Sequence, residues 1–286
     1  MTDSGDPDRR TTDFEYHRPD SLAEASELLG RDNAVALAGG TDLLVAIRRR
    51  KRRPAVIVDL KSVREIGDDI EVEGDHLRIG GRVVMSRLTR SELVSAHFPA
   101  LALAASVVGS VQIRNRATLA GNLCNASPAA DTAPVLLAHS ATVTISGSYS
   151  TQRVPLGGFF VGPGATVLGP AEVVTSIEIP LPATRIGSAF GRVTRRRGVD
   201  LASVNLACVV EPSGKVRFGF GAVGPTPLVA EATLADLATD DGWSRLLAVT
   251  SPISDVRASA DYRRAMLEIH SRRALRTAVE QLDVAS

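Results

Sequence analysis

The chain reads as an α+β protein in two parts, the second a compact unit of antiparallel strands with two helices. Three observations predict it. At 286 residues the chain is long for one core, so two subdomains are expected. Pro180 and Pro182 interrupt the pattern and make a boundary. On both sides of that boundary, apolar runs of strand length stand between segments of helical period.

Residues 1–12 mix acidic, basic and small residues without an apolar stretch, and read as a disordered tail rather than a signal peptide. Ser21 and Glu24 form a capping-box signal, and Leu22, Ala25, Leu28 and Leu29 give a helical stripe that ends at Gly30. Ala34 to Ala38 is a short apolar run expected as a buried strand, broken at Gly39-Gly40-Thr41-Asp42. Leu43 to Ile47 resumes as a helix, and Ala55 to Leu60 is a second buried strand after Pro54. Leu77 to Ile79 and Val83-Val84 are short strand candidates around Gly80-Gly81. From Leu88 to Val111 the period is helical, with Pro99 dividing two helices. Gln112 to Asp131 is poor in apolar residues and reads as loop, before a helix over Thr132 to Ala138 and strands over Ala141 to Ile145 and Val173 to Ile179. Beyond the boundary, Leu201 to Val210 and Lys215 to Val223 read as strands, and Val229 to Ala238 and Tyr262 to Leu282 as helices.

Charge narrows the function. Thirty-three Lys and Arg nearly balance 32 Asp and Glu, so no global field draws nucleic acid or an anionic membrane. Arg48 to Arg53 is one unbroken basic run, read as a solvated loop or a surface for an acidic partner. No apolar run approaches membrane-spanning length. The two cysteines, Cys124 and Cys208, lie far apart with no CxxC, which leaves structural zinc, cysteine-bound iron–sulfur clusters and a disulfide framework unsupported. A cytoplasmic compartment fits this usage. The histidines are scattered without metal-ligand spacing.

Two glycine segments carry the chemistry. A diphosphate must be met by donors at close range, and backbone N–H groups in a turn do this where glycine removes the obstructing Cβ. Ala38-Gly39-Gly40-Thr41-Asp42 puts such a turn between a strand and a helix. Thr41 adds a hydroxyl, and Asp42 is placed to cap the helix. Alone, this is equally a plain strand-to-helix turn. The second segment, Gln112 to Asp131, is rich in side-chain donors, with Thr118 and Asn122 bracketing Gly121. A carboxylate beside a diphosphate is repelled. Asp131 therefore either accepts a hydrogen bond from a ligand hydroxyl or ring N–H, or caps the helix that starts at Thr132. Gly219-Phe220-Gly221-Ala222-Val223-Gly224 matches GxGxxG literally, but Pro225-Thr226-Pro227 follows where a helix is required, so it reads as a strand entering a tight turn.

AGGTDLL (Ala38 to Leu44) and QIRNRATLAGNLCNASPAAD (Gln112 to Asp131) together resemble the FAD-binding medium subunits of the molybdenum hydroxylases, the carbon monoxide, xanthine and nicotine dehydrogenase family. The resemblance runs over nearly the whole chain after the tail. It includes the LRIGG at Leu77, the GPG after Phe160, the R-x-x-G-x-D-L-A from Arg195 and the GAVGPTP turn at Gly221. It implies a two-lobed FAD-binding domain of the vanillyl-alcohol-oxidase (PCMH) type over 13–181, with lobes of about 13–62 and 63–181. A smaller C-terminal α+β domain with an antiparallel sheet would cover 182–286. Carried over by position, Ala38, Gly39, Gly40, Thr41 and Asp42 hold the FAD diphosphate from one side. Thr118, Gly121, Asn122, Asn125 and Asp131 hold it from the other. A family lysine near the flavin falls at Arg192, where guanidinium keeps the charge but spreads its donors differently. The usual Gly-Gly before the Asn is here Ala120-Gly121.

The resemblance further implies non-covalent FAD and an electron-relay role with no catalytic acid, base or metal on this chain. It implies a molybdopterin large subunit and a two-cluster iron–sulfur small subunit as partners, commonly as a dimer of heterotrimers. Arg114, Arg116 and the run from Arg48 to Arg53 are candidates for that contact. A stand-alone flavoenzyme acting on its own small substrate is the alternative. A scaffold that has lost its flavin is opposed by Thr118, Gly121, Asn122 and Asp131.

Overall fold

The computed structural model describes residues 14–283. The tail expected at residues 1–12 lies outside the described residues. Strands β1 (Glu15–His17), β2 (Ala34–Leu37) and β3 (Val56–Asp59) form a parallel sheet in the order β1-β3-β2. All four residues of β3 are buried, which is why its sequence shows no polar alternation. Helix α1 (Leu22–Leu29) packs Ala25, Leu28 and Leu29 on this sheet, and Ser21 Oγ accepts from the Glu24 amide at 3.3 Å to close its first turn. Helix α2 (Leu43–Arg48) leads into the basic run, whose six residues are all exposed.

The second lobe is an antiparallel sheet carrying six short helices. Its strands are β4 (Ile70–Glu73), β5 (His76–Gly80), β6 (Thr142–Ser146), β7 (Thr151–Pro155) and, after a small pair β8 (Phe160–Gly162) and β9 (Ala165–Thr166), β10 (Val173–Pro180). Their order is β4-β5-β10-β6-β7. The edge strands β4 and β7 were not expected from sequence because their residues are mostly exposed and polar. Val83-Val84, expected as strand, makes a single bridge between Val84 and Thr118 instead.

The helices are α3 (Met85–Leu88), α4 (Glu92–His97), α5 (Pro99–Ser106), α6 (Val111–Arg114), α7 (Leu119–Cys124) and α8 (Thr132–Ala138). Pro99 opens α5, where a missing N–H is harmless. The stretch read as loop from Gln112 to Asp131 holds most of α6 and all of α7. Ser110 and Thr118 hydroxyls accept from the Ile113 and Gly121 amides at 3.3 and 3.0 Å, so each short helix starts on a side-chain cap.

The C-terminal sheet is a meander of β11 (Gly187–Val193), β12 (Val204–Val210), β13 (Lys215–Gly221) and β14 (Leu228–Thr233), followed by α9 (Asp240–Leu247) and α10 (Ala260–Asp283). Residues 229–238, expected as helix, are strand β14 and a short turn. Helix-favouring alanines yield to pairing with β13, in which Val229 opposes Gly219. Helix α9 was missed, although Thr239 caps it and Asp240 and Asp241 fill its first turn.

Strand β12 explains how the two parts join. Val204, Leu206, Cys208 and Val210 face one apolar cluster, which Leu267, Ala274 and Ala278 of α10 complete. Ala207 and Val209 face the other, shared with α8 and the second lobe. The sheet is therefore covered on both faces, and no residue of β12 or α8 is exposed. At Gly219 the sheet meets α8 backbone to backbone, so that a Cβ there would collide with the Pro134 carbonyl.

Gly219→Ala is expected to lower the unfolding free energy by about 3 kcal/mol, since backbone rather than a movable side chain obstructs the methyl. Gly157→Ala, whose Cβ meets nothing within 4 Å, is the control and should shift it by less than about 0.5 kcal/mol in denaturant titration.

Candidate functional site

The two glycine segments, far apart in sequence, touch in space. The turn after β2 lies against the segment before α7, so that a Cβ on Gly39 would strike the Arg116 carbonyl. Gly40 has φ +75, a backbone conformation that side chains rarely adopt. An ideal Cβ on Gly121 would stand 3.9 Å from the Ala38 methyl, and 2.8 Å from Thr118 Oγ1. Thr118 is buried and its hydroxyl caps α7. The methyl of Ala120 is absorbed in the main core cluster, so the departure from Gly-Gly leaves the turn itself intact.

Ala38, Gly39, Gly40, Thr118 and Gly121 are thus brought together. Thr41 and Asp42 belong to the same turn. The Thr41 hydroxyl reaches only Asp42, at 3.5 Å, and Asp42 makes no capping hydrogen bond, contrary to the expectation for it. Asn125 is exposed at the end of α7.

The remaining predicted residues form a second group at the seam with the C-terminal sheet. Asn122 Oδ1 accepts from Thr132 Oγ1 at 2.8 Å. Asp131 makes no cap for α8. Its Oδ1 instead lies 3.1 Å from Arg192 Nε and accepts from Asn205 Nδ2 at 2.9 Å. The Arg192 Nε–H is not aimed along a hydrogen bond, so that contact is coulombic, while Nη2 donates to the Asp200 carbonyl. Burial pushes the Asp131 carboxyl up to about 6, against the pull of Arg192 and Asn205. The GAVGPTP turn also docks here, with the Ala222 amide donating to the Pro128 carbonyl at 2.7 Å.

Sequence reading missed Asn205. A single amide inside the apolar run VNLACVV was its signal, because a buried polar side chain there needs partners. Also missed were Lys61 and Arg82, which line an open cleft of about 210 Å³ together with Ala38, Gly39, Arg116 and Thr118. Cys124 sits at the end of α7, its thiol pushed by burial up to about 12 and so inert near neutral pH. No cluster with metal-ligating composition occurs among the described residues.

The donor set fits an anionic diphosphate. The amides of Thr41, Asp42 and Leu43 make no hydrogen bond within the described chain, and the floor offered by Ala38 and Gly39 carries nothing larger than a methyl. Three cations stand on the cleft walls. The arrangement binds and orients; it contains no nucleophile–base pair that would itself perform acid–base or covalent chemistry.

The raised Asp131 carboxyl carries a pH signature. Its folded-state value near 6 exceeds the unfolded one, so its stabilising contribution is present at low pH and is lost as pH rises through 6. Between pH 4 and 7 the apoprotein is expected to lose up to about 3 kcal/mol from this group. Asp131→Asn should lack that decline, so the parent-minus-variant difference between the two pH–stability curves, measured by urea unfolding, should itself fall as pH rises through 6.

Residues 12–182 match the family model described as FAD binding domain in molybdopterin dehydrogenase, and residues 189–278 match the CO dehydrogenase flavoprotein C-terminal domain. The carbon monoxide dehydrogenase medium chain of Hydrogenophaga pseudoflava is 33% identical over 93% of this chain and 96% of its own length. The xanthine dehydrogenase FAD-binding subunit of Escherichia coli O157:H7 is 32% identical over 92% and 95%. Among solved structures, carbon monoxide dehydrogenase from Hydrogenophaga pseudoflava superposes with a TM-score of 0.86 at 32% identity, covering 94% of this chain and 98% of that one. Quinoline 2-oxidoreductase from Pseudomonas putida 86 superposes at 0.84 with 27% identity. With both domain models matched and whole-length relatives above 30% identity, the chain belongs to the FAD-binding medium subunits of the molybdenum hydroxylases.

Proposed function

We propose that this chain holds FAD non-covalently between its two N-terminal lobes, about 13–62 and 63–181, and serves as the electron relay of a molybdenum hydroxylase complex. The observation that carries this is the close packing of the Ala38-Gly39 turn against the Arg116–Gly121 segment, which makes one cradle of two unremarkable loops. When bound, FAD would supply the redox chemistry of a relay between iron–sulfur clusters and an external acceptor.

The chain's own residues bind and orient. Backbone amides of Gly39, Gly40, Thr41 and Asp42 would meet the diphosphate from one side, and the turn of Thr118, Gly121 and Asn122 from the other. Ala38 keeps the floor low. Asn125 lies at the far end of the same loop, exposed and free to reach a ligand group. Asp131 and Arg192 form the seam beside the cradle. Asp131 accepts a hydrogen bond there from Asn205, and Arg192 would offer the cofactor a positive charge that it cannot lose by deprotonation.

Partners follow from the relatives, which are medium chains. A molybdopterin large subunit and a two-cluster iron–sulfur small subunit would complete the complex, in the arrangement of a dimer of heterotrimers. No helix among the described residues is long and apolar enough to cross a membrane, in keeping with work in the cytoplasm.

Purified apoprotein titrated with FAD is expected to acquire flavin absorbance bands, and acid precipitation should leave all flavin in the supernatant. A yellow pellet would show covalent attachment instead. Gly40→Val and Gly121→Val should each weaken FAD binding by at least about a hundredfold, the loss of roughly two good hydrogen bonds. Circular dichroism of both variants should stay near that of the parent; full FAD occupancy in both would refute the cradle.

A further inference from the structure

We propose that the side chains of Arg82 and Arg116 form a charge clamp for the cofactor diphosphate, making this chain selective for a dinucleotide flavin over a phosphate-free one. The inference rests on the FAD reading above and adds residues outside the two glycine turns. Its starting point is the cleft that Ala38 and Gly39 of the first turn share with Thr118 of the second. Lys61, Arg82 and Arg116 stand on its walls, opposed there by the single carboxylate of Asp68.

The charge balance favours an anion. Asp68 Oδ2 is already met from outside the cleft by Arg87 at 3.3 Å. Lys61 Nζ lies 2.6 Å from the buried Asp59 carboxylate and is neutralised by it. Lys61, Arg82, Arg87 and Arg116 together outnumber Asp59 and Asp68 by two charges, and the surplus rests on Arg116 and on Arg82, whose one ion-pair contact is the 3.9 Å approach to Asp68; two is the charge of a diphosphate. The backbone amides of the turns donate hydrogen bonds but bring no net charge, so a clamp of this kind supplies what they lack.

The Arg82 side chain and the Arg116 main chain are both anchored, so that each guanidinium starts from a fixed position on the cleft wall. Arg82 Nη1 donates to the Lys61 carbonyl at 2.5 Å, which fixes the guanidinium while Nη2 keeps only a 3.9 Å contact with Asp68 Oδ1. Arg116 is rooted by its main chain. Its amide donates to the Ile113 carbonyl at 2.9 Å, and its own carbonyl packs against Gly39. Its side chain is exposed, with no ion pair among the described residues. Planar guanidinium groups suit this task because their paired N–H donors match phosphate oxygens.

The test uses the full-length apoprotein titrated with FAD and, separately, with riboflavin, which has the same ring system and no phosphate. Flavin fluorescence reads binding at low and at high salt. In R82Q and in R116Q the FAD dissociation constant is expected to rise about tenfold each, the loss of one charge-assisted contact. Riboflavin affinity should stay unchanged, and the weakening of FAD binding by salt should be shallower than in the parent. Arg116 is exposed, so R116Q keeps the test valid even if R82Q folds poorly. FAD affinity within about twofold of the parent in R116Q and in every folded R82Q preparation overturns the clamp alone. A parent protein that takes up no FAD overturns the cofactor reading, and the clamp with it. An equal loss of FAD and riboflavin affinity also overturns the clamp, since it marks a general distortion of the site.

Discussion

The structure depends on the burial of one short helix from both sides. Residues 132–138 have no exposed member, because the second lobe covers one flank and the C-terminal sheet the other. A seven-residue helix is marginal on its own, so its stability is borrowed from that packing. Apolar area removed from water at about 25 cal/mol per Å² is the term that holds it. Pro134, tolerated in the first turn, lets its carbonyl meet Gly219 where any side chain would intrude. Because the helix begins at Asp131, the same packing decides where the seam residues stand.

That seam is a poor place for polar groups, yet it gathers several. Asp131, Arg192 and Asn205 are almost removed from water, and Asn205 Oδ1 and Arg192 Nε lack hydrogen-bond partners. Apolar residues of like volume would give a more stable junction. A polar cluster kept beside the glycine turns at such a cost in stability accords with the binding role proposed for them. The neighbouring cleft follows the same logic, with cations held close together before any anion arrives.

How far the sequence disclosed this varies with the kind of signal. Helix α1 was legible from its apolar stripe and its Ser21 cap, and strand β3 from an unbroken apolar run after Pro54. Strand β14 was not: its alanines favour helix, and only the partner strand makes it extended. The capped helices α6 and α7 were hidden by low apolar content, although Ser110 and Thr118 stood at the capping spacing. For the site, the glycine turns were visible, but their contact was not, since nothing local brings Gly39 to Arg116. Asp131 left two readings open, and the geometry rejected the cap because its carboxylate is spent on partners 61 and 74 positions away in the chain.

That separation has a bearing on the order of folding. A polypeptide emerging from the ribosome would display both lobes well before β12 and β13 exist, yet α8 would have only half its covering. Contacts between residues this distant close late, because the loop entropy must be met before the packing is gained. The N-terminal lobes would therefore wait in a loosely packed form, with an apolar helix in need of shelter. Half of the shelter of α8 thus arrives only with the last third of the chain.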